Sequence, residues 1–568
     1  MAVEKVDTIV VGGGQGGIAM SEHLSKCDIP HLILERHRIA ERWRSERWDS
    51  LAANGPAWHD RFPGMEFPNT HPDSFPNKEA VVDYLEAYAR KIAAPVRCGV
   101  EVHKVERLKG RGGFWLETSH GRFEANSVVV ATGPFQCPII PPIVPENSDV
   151  LQLHSAAYRN PDQLPKGAVL VVGAGSSGVQ IAEELLQAGR RLYLSVGPHE
   201  RPPRAYRARD YCWWLGVLGK WDLETRVPGR EHVTIAVSGA RGGHTIDFRR
   251  LASDGMMLLG MTEACKDGTL TFKPDLAENI AQGDANYLAL LDEADAYVLR
   301  NGLDLPEEPG ARVIGPDAEC MTHPVLSLNL ADAGVKTIIW ATGYGSDYSW
   351  LKVDAFDDQG RPRHQRGASS EPGIYFLGLP WQSRRGSAFI WGVWHDAKHI
   401  ADRIATQRRY LEYHASAKRR GSMMVDGETT MSHTRIRKFN TKDTYPEQKL
   451  DNDLCQAVVT HGGRTIYLRG QCPQDLDTAK NIDSHDPVEQ THKVMQNIKQ
   501  LIEECGGTME HLVKVVVYLT DVRHREAVYR TMGEYIKNVH PVSTGLVVQA
   551  LARPEWLVEI DGTAVIPN

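Results

Sequence analysis

Two runs of the form Gly-x-Gly-x-x-Gly carry the most readable chemistry in this chain: Gly12-Gly13-Gly14-Gln15-Gly16-Gly17 and Gly173-Ala174-Gly175-Ser176-Ser177-Gly178. Each follows a β-branched run, Thr8 to Val11 and Val169 to Val172, and is therefore expected at a strand-to-helix junction. There the first glycine permits the tight turn and the second lets a pyrophosphate approach the backbone. The third lets the helix pack on the strand, and the helix N-terminus faces the phosphates. Two such runs imply two facing dinucleotides, the usual arrangement of a flavin reduced by a nicotinamide. FAD is expected at the first run and a nicotinamide nucleotide at the second.

Glu35 closes the strand His31–Glu35, about 20 residues beyond Gly12, where a carboxylate takes an adenosine ribose. The second run has no such acid. Its next strand, Arg191–Ser195, ends in the hydroxyl of Ser195, and Arg201 and Arg204 follow. A small hydroxyl with arginines nearby suits a 2′-phosphate, onto which arginine forks, so NADPH is expected over NADH. The alternative is that both arginines are ordinary loop charges.

The elements that position these residues span more than one domain, since 568 residues exceed the size at which a single core stops growing, about 250–300. Apolar content of 42% and charged content of 24% are those of a soluble globular protein. A net charge of −7 gives no reason to expect a nucleic-acid partner. No run of about 18 apolar residues is present, so no membrane span is expected. The opening Met-Ala-Val-Glu-Lys-Val-Asp leads straight into a strand, with no room for a signal peptide. Nine scattered cysteines without a Cys-x-x-Cys pair fit a reduced, cytoplasmic protein, argue against a dithiol relay and suggest no metal site.

Residues up to about 410 alternate apolar strands, glycine turns and helical stretches, the pattern of a doubly wound α/β fold. Two buried-looking strands end in Ala-Thr-Gly, at 131–133 and 341–343, which places Thr132, Thr342 and Gly343 beside the nucleotides. The expected order is an FAD-binding domain of residues 1–145 and 341–412, with an NADPH-binding domain, 146–340, inserted in it. Residues 413–433 are polar, small and basic, and read as a linker. Residues 434–568 then form a compact α+β pattern. Strands are expected at 464–471, 512–519, 544–550 and 556–560, and helices at 487–505 and 525–539.

The first 410 residues resemble the flavin-containing monooxygenase family. Besides both fingerprints, the likeness includes Trp43-Arg44, Asn54-Gly55-Pro56, Asp73-Ser74-Phe75-Pro76, His154 to Tyr158, Ala341-Thr342-Gly343-Tyr344 and Phe376 to Pro380. In the family motif Phe-x-Gly-x-x-x-His-x-x-x-aromatic, His154 and Tyr158 match, whereas Ser148 and Val150 replace the first two residues. A Baeyer–Villiger enzyme would carry Trp at Tyr158, so that subclass is not expected. The resemblance implies NADPH reduction of FAD, capture of O2 as a C4a-hydroperoxyflavin, and transfer of oxygen to nitrogen or sulfur of a small molecule, with indole a further candidate. It places Asn54 at the reactive flavin edge and Trp43 and Arg44 along the flavin, and makes His154 a junction residue rather than a base. A plain turn is the alternative for Asn54. A flavoenzyme that releases hydrogen peroxide is the rival function. Tryptophans 213, 214, 350, 381, 391 and 394 either surround an aromatic substrate or, for most of them, belong to the core.

Residues 434–568 resemble the reactive intermediate/imine deaminase (Rid) family, with its chorismate-mutase-like fold. Tyr467 to Pro473, Gln490 to Ile498, Val515 to Asp521, His540-Pro541 and Val558 to Asp561 carry the likeness. It implies a homotrimer, or a multiple, that binds small carboxylates between subunits. Ser543 stands where active deaminases hold the carboxylate with arginine, and serine has no bidentate, charge-assisted contact to offer. A scaffold or ligand module is therefore expected, with a bifunctional monooxygenase and imine deaminase as the alternative.

Overall fold

A computed structural model describes residues 3–110, 112–146, 148–224, 234–420, 433–444, 450–460 and 462–566. The chain divides into two compact units, Met1–Ala417 and Lys418–Asn568.

The first unit holds two parallel sheets. In one, the spatial order is Val96–Cys98, His31–Glu35, Val3–Val11, Gly121–Val130 and Ile374–Phe376. An antiparallel pair, Val102–Arg107 and Phe114–Thr118, extends it from Gly121–Val130. In the other, the order is Met257–Leu259, Leu192–Ser195, Ala168–Val172, Val335–Trp340 and Leu151–His154. The central strands end in continuous apolar runs because both faces are covered there: Ile9, Val10, Val128 and Val129 in the first sheet, Leu170, Val171, Ile338 and Ile339 in the second, are all fully buried. The second sheet lies wholly between residues 151 and 340, inside the excursion from Gly121–Val130 to Ile374–Phe376, and is a topological insertion in the first.

The helix Ile390–Arg420 buries Val393, Ala397, Ile400, Ala401 and Ile404 in the core of the first sheet. It overruns the expected linker by a turn and more. Its last residues are mostly Ala, Lys, Arg, Leu and Glu, good helix formers that need no apolar stripe to continue a helix already begun. Residues 421–432 of that stretch lie outside the described residues.

In the second unit a four-stranded sheet runs Arg464–Gln471, Val558–Ile566, Leu512–Leu519, Val542–Val547. The helices Pro487–Glu504 and Arg525–Tyr535 share one core with it, built on Val494, Ile498, Val515, Val517, Met532 and Ile560. The second helix ends earlier than expected, and the last two strands run 542–547 and 558–566. A hairpin, Thr434–Asn440 with Asp453–Val459, was not expected from the sequence.

Candidate active site

Both fingerprints build the same steric cradle. Gly12 has φ +114°, and a Cβ there would meet the Ala131 carbonyl oxygen at 2.6 Å. Gly173 has φ +103°, and its Cβ would meet the Ala341 oxygen at the same 2.6 Å. The Ala-Thr-Gly strands thus press against the first glycine of each turn, which is why those segments follow their neighbouring strands. A Cβ on Gly17 would collide with the Gly12 oxygen, and one on Gly178 with the Gly173 oxygen. The middle glycines behave differently. Around Gly14 a Cβ would meet nothing within 4 Å, whereas at Gly175 it would meet the Thr234 methyl at 3.3 Å. The helices Gln15–Lys26 and Ser176–Gln187 open here with no acid in the first turn, as suits an anion. Ser176 and Ser177 begin the second helix, and the Ser176 hydroxyl donates to the Ile235 carbonyl at 2.9 Å.

The strand tips separate the two cradles. Glu35 Oε2 accepts the Gly13 N–H at 2.6 Å and Oε1 accepts the His37 N–H, so the carboxylate sits against the first turn. In the strand registers Val11 pairs with Leu34 and Val172 with Ser195, so Ser195 corresponds to Leu34, and Val196, fully buried, to Glu35. This corrects the expected role of Ser195. Its buried hydroxyl donates to the Gly260 oxygen at 2.8 Å and accepts the Thr262 N–H, fixing the strand end. The absence of an acid stands. The arginines need a correction too. Arg201 is 4% exposed, its guanidinium donating to Asp284 at 2.7 Å and to the Ile246 oxygen. Arg204 is 5% exposed and donates to both oxygens of Asp210 and, at 2.6 Å, to the Asn54 carbonyl. Buried charges that have satisfied carboxylates are not available to a phosphate without breaking those pairs.

Asn54 lies in a half-buried loop beside the second fingerprint helix. Its Oδ1 accepts from Gln180 Nε2, on the second fingerprint helix, at 3.0 Å. The next N–H, Gly55, donates to Asp60, whose other oxygen is 2.8 Å from His59 Nδ1. His59 is set among Trp58, Trp221 and Trp391, with ring centroids 5.0–5.4 Å away, and Phe389 continues the wall against Trp221. Gln15 of the first fingerprint reaches the Ala388 oxygen beside this wall. Sequence reasoning named Trp391 here but missed Trp58, His59, Trp221 and Gln180, because only folding brings them together. Trp214 is fully buried core.

Trp43, on the short helix Glu41–Ser45, packs against the cores of both sheets and so joins them. Arg44 pairs with Glu86 at 2.5 Å. Thr132 accepts from Gln136 at 2.9 Å, and Thr342 donates to the Ile139 oxygen at 2.6 Å. His154 Nε2 lies 3.0 Å from the Gly343 oxygen, and its ring meets Tyr344 edge-on. Burial holds the His154 pKa below the ordinary value, so it is a neutral tie between the second sheet and the Ala-Thr-Gly turn.

In the second unit Ser543 Oγ is buried with no hydrogen-bond partner among the described residues. Burial and neighbouring Glu559 push the Cys472 thiol up to about 12, so it is no thiolate.

Paired parallel sheets with matched phosphate cradles define a two-dinucleotide oxidoreductase. Residues 9–211 match the family model described as pyridine nucleotide-disulphide oxidoreductase, and 451–566 the one described as endoribonuclease L-PSP. An uncharacterized oxidoreductase, CzcO-like, of Geobacillus kaustophilus is 35% identical over 404 residues, 70% of this chain and 98% of that protein. The indole-3-pyruvate monooxygenase YUCCA1 of Oryza sativa subsp. japonica is 30% identical over 71% of this chain and 92% of its own length. A solved flavin monooxygenase from Stenotrophomonas maltophilia, a double mutant, superposes with a TM-score of 0.50 at 21% identity, covering 71% of this chain and 99% of that one. The chain belongs to the flavin-dependent monooxygenase family that takes in the CzcO-like oxidoreductases, and carries a RidA domain at residues 451–566. FAD and NADPH are the cofactors of this family. Among the described residues no helix is long and apolar enough to cross a membrane.

Proposed function

We propose that the first unit is an NADPH- and O2-dependent monooxygenase that oxygenates nitrogen or sulfur, or an indole ring, in a small molecule. The first cradle, with Gly12, Gly14, Gly17 and Glu35, holds FAD, and the second, with Gly173, Gly175 and Gly178, holds NADPH. The supporting observation is Asn54, tied by Gln180 and Arg204 to the second cradle's side of the molecule. Bound FAD, once reduced, supplies the oxygen activation. The chain's own part is to hold Asn54's amide as a donor at the flavin edge and to keep water away with Trp58, Trp221 and Trp391. The test is NADPH consumption with amines, sulfides and indole, with oxygenated product and peroxide counted together. Product matching NADPH supports the reading; peroxide equal to NADPH with every compound makes the protein an oxidase.

For the second unit we propose an oligomerisation scaffold, a homotrimer or a multiple of it. Tyr467, 82% exposed, and Leu546, 47% exposed, stand on the sheet face opposite the helices, and association would cover both. Ending the chain after Arg420 is expected to lower the number of chains per assembly, read by light scattering, while flavin reduction persists. An unchanged number of chains removes the scaffold. Rapid hydrolysis of amino-acid-derived imines by the full chain makes it bifunctional despite Ser543.

A further inference from the structure

Gln180 is 4% exposed and sits on the helix that the second cradle opens. Its Nε2 donates to Asn54 Oδ1 at 3.0 Å and to the Ala52 carbonyl at 3.4 Å. Its Oε1 is buried without a partner among the described residues. A buried, unpaired acceptor costs about 1–3 kcal/mol, a cost that a methionine of similar length would avoid if packing were the only task. The same helix reaches across twice more, Ser176 to Ile235 and Glu183 to His244 at 2.6 Å, so this face is the one that meets the rest of the site. An amide offers an acceptor on one edge and donors on the other. Because Gln180 occupies Asn54 Oδ1, Asn54 is left with Nδ2 as its free, donating edge.

We propose that Gln180 is a positioning residue with two tasks: it fixes which edge of Asn54 donates, and its own free Oε1 receives an N–H of the nucleotide in the second cradle. The carboxamide of a nicotinamide has that donor. One side chain thereby reports the occupancy of the second cradle to Asn54. The inference rests on the reading that this cradle takes NADPH.

Two variants separate the tasks. Gln180→Met keeps the length and removes every hydrogen bond of the amide, those to Asn54 and Ala52 and the one proposed at Oε1. Gln180→Glu keeps an acceptor for the nucleotide but reverses the bond to Asn54, which must turn its Nδ2 toward the carboxylate. FAD content and Tm establish that each variant is folded, and NADP+ affinity is read by titrating the flavin spectrum. Gln180→Met is expected to weaken NADP+ about fivefold, the worth of one hydrogen bond. Adding Asn54→Ala to it is expected to weaken binding by less than the product of the two single effects. Gln180→Glu is expected to hold NADP+ within about twofold yet release as much peroxide per NADPH as Asn54→Ala. Wild-type NADP+ affinity in Gln180→Met, multiplying effects in the double variant, or wild-type peroxide release in Gln180→Glu overturns the proposal. A wild-type protein that binds no NADP+ fails at the earlier reading instead. If the wild type is itself uncoupled, the two binding measurements still decide.

Discussion

The two cradles are the same device in their backbone and different devices in their surroundings. In each, the first glycine is pressed by a carbonyl of the neighbouring strand at the same hypothetical 2.6 Å, and the third by the carbonyl of the first. At the first cradle the middle glycine faces open space and a carboxylate closes the strand tip. At the second, Thr234 approaches the middle glycine and the tip residue is the buried Val196. The turn and the close helix packing are thus duplicated, whereas the space over the middle glycine and the residue at the strand tip are not. On the proposed reading the first cradle takes FAD, and the second, joined to Asn54 through Gln180, takes NADPH.

The sharpest way to break this comparison is to strike the shared part. Gly17→Ala and Gly178→Ala each drive a Cβ into a backbone carbonyl, an overpacking cost of about 1–3 kcal/mol or more. Gly17→Ala is expected to yield colourless protein. Gly178→Ala is expected to stay yellow and lose about 10- to 100-fold in NADPH affinity. Equal flavin loss in both would show that the cradles do not divide the two cofactors. Gly14→Val attacks the open space instead. It is expected to fold with a normal Tm yet retain almost no flavin after gel filtration, and normal flavin content would misplace the pyrophosphate.

The arginines test the difference between the cradles. Arg201→Ala and Arg204→Ala leave buried carboxylates short of a partner, a loss of about 3–5 kcal/mol when the pair is lone. Asp284 keeps Arg249 and Asp210 is partly exposed, so both are expected at or below the low end of that range, with the preference for NADPH over NADH unchanged. A changed preference at unchanged Tm would return the 2′-phosphate to these residues. Asn54→Ala is a smaller lesion: flavin content and reduction rate are expected within about twofold of wild type, with the amide's loss read as a severalfold rise in peroxide per NADPH. Unchanged coupling leaves Asn54 a turn residue.

The smallest expected effect concerns pH. His23, on the first fingerprint helix, is pushed down to about 4 by burial. Its folded pKa lies below the ordinary 6.5, so its contribution is complete above about 6.5 and is lost as pH falls toward 4. His23→Phe keeps a ring against Trp394 and is expected to flatten the fall in Tm between pH 7 and 5. An equally steep fall would assign that slope to other groups.

What the sequence disclosed is what local sterics dictate. The glycines, Glu35 and the Ala-Thr-Gly turns are legible because a tight turn restricts its own residues whatever lies elsewhere. Ser195 lies one position short of the strand tip. Counting from Gly173 the interval that separates Gly12 from Glu35 arrives at Val196, so the sequence carries the signal. The arginines are hidden for a different reason. Asp284 is far along the chain from Arg201, and no pattern near Arg201 announces the pair. Gln180 looked like one more helix residue until folding brought Asn54 to it. In the second unit, a nearly unbroken apolar, β-branched run discloses Leu512–Leu519, with its buried Val515 and Val517, while Thr434–Asn440 is largely exposed and polar.

The insertion of one sheet within the other also sets an order of events during synthesis. Val128 pairs with Ile374, so the first sheet cannot gain its last parallel strand until the whole second sheet has been made. Contacts so distant in sequence are slow to form, and chains of this size fold unit by unit. The second sheet, whose strands lie between residues 151 and 340, is therefore expected to close first, and the first sheet, begun first on the ribosome, to be finished after it.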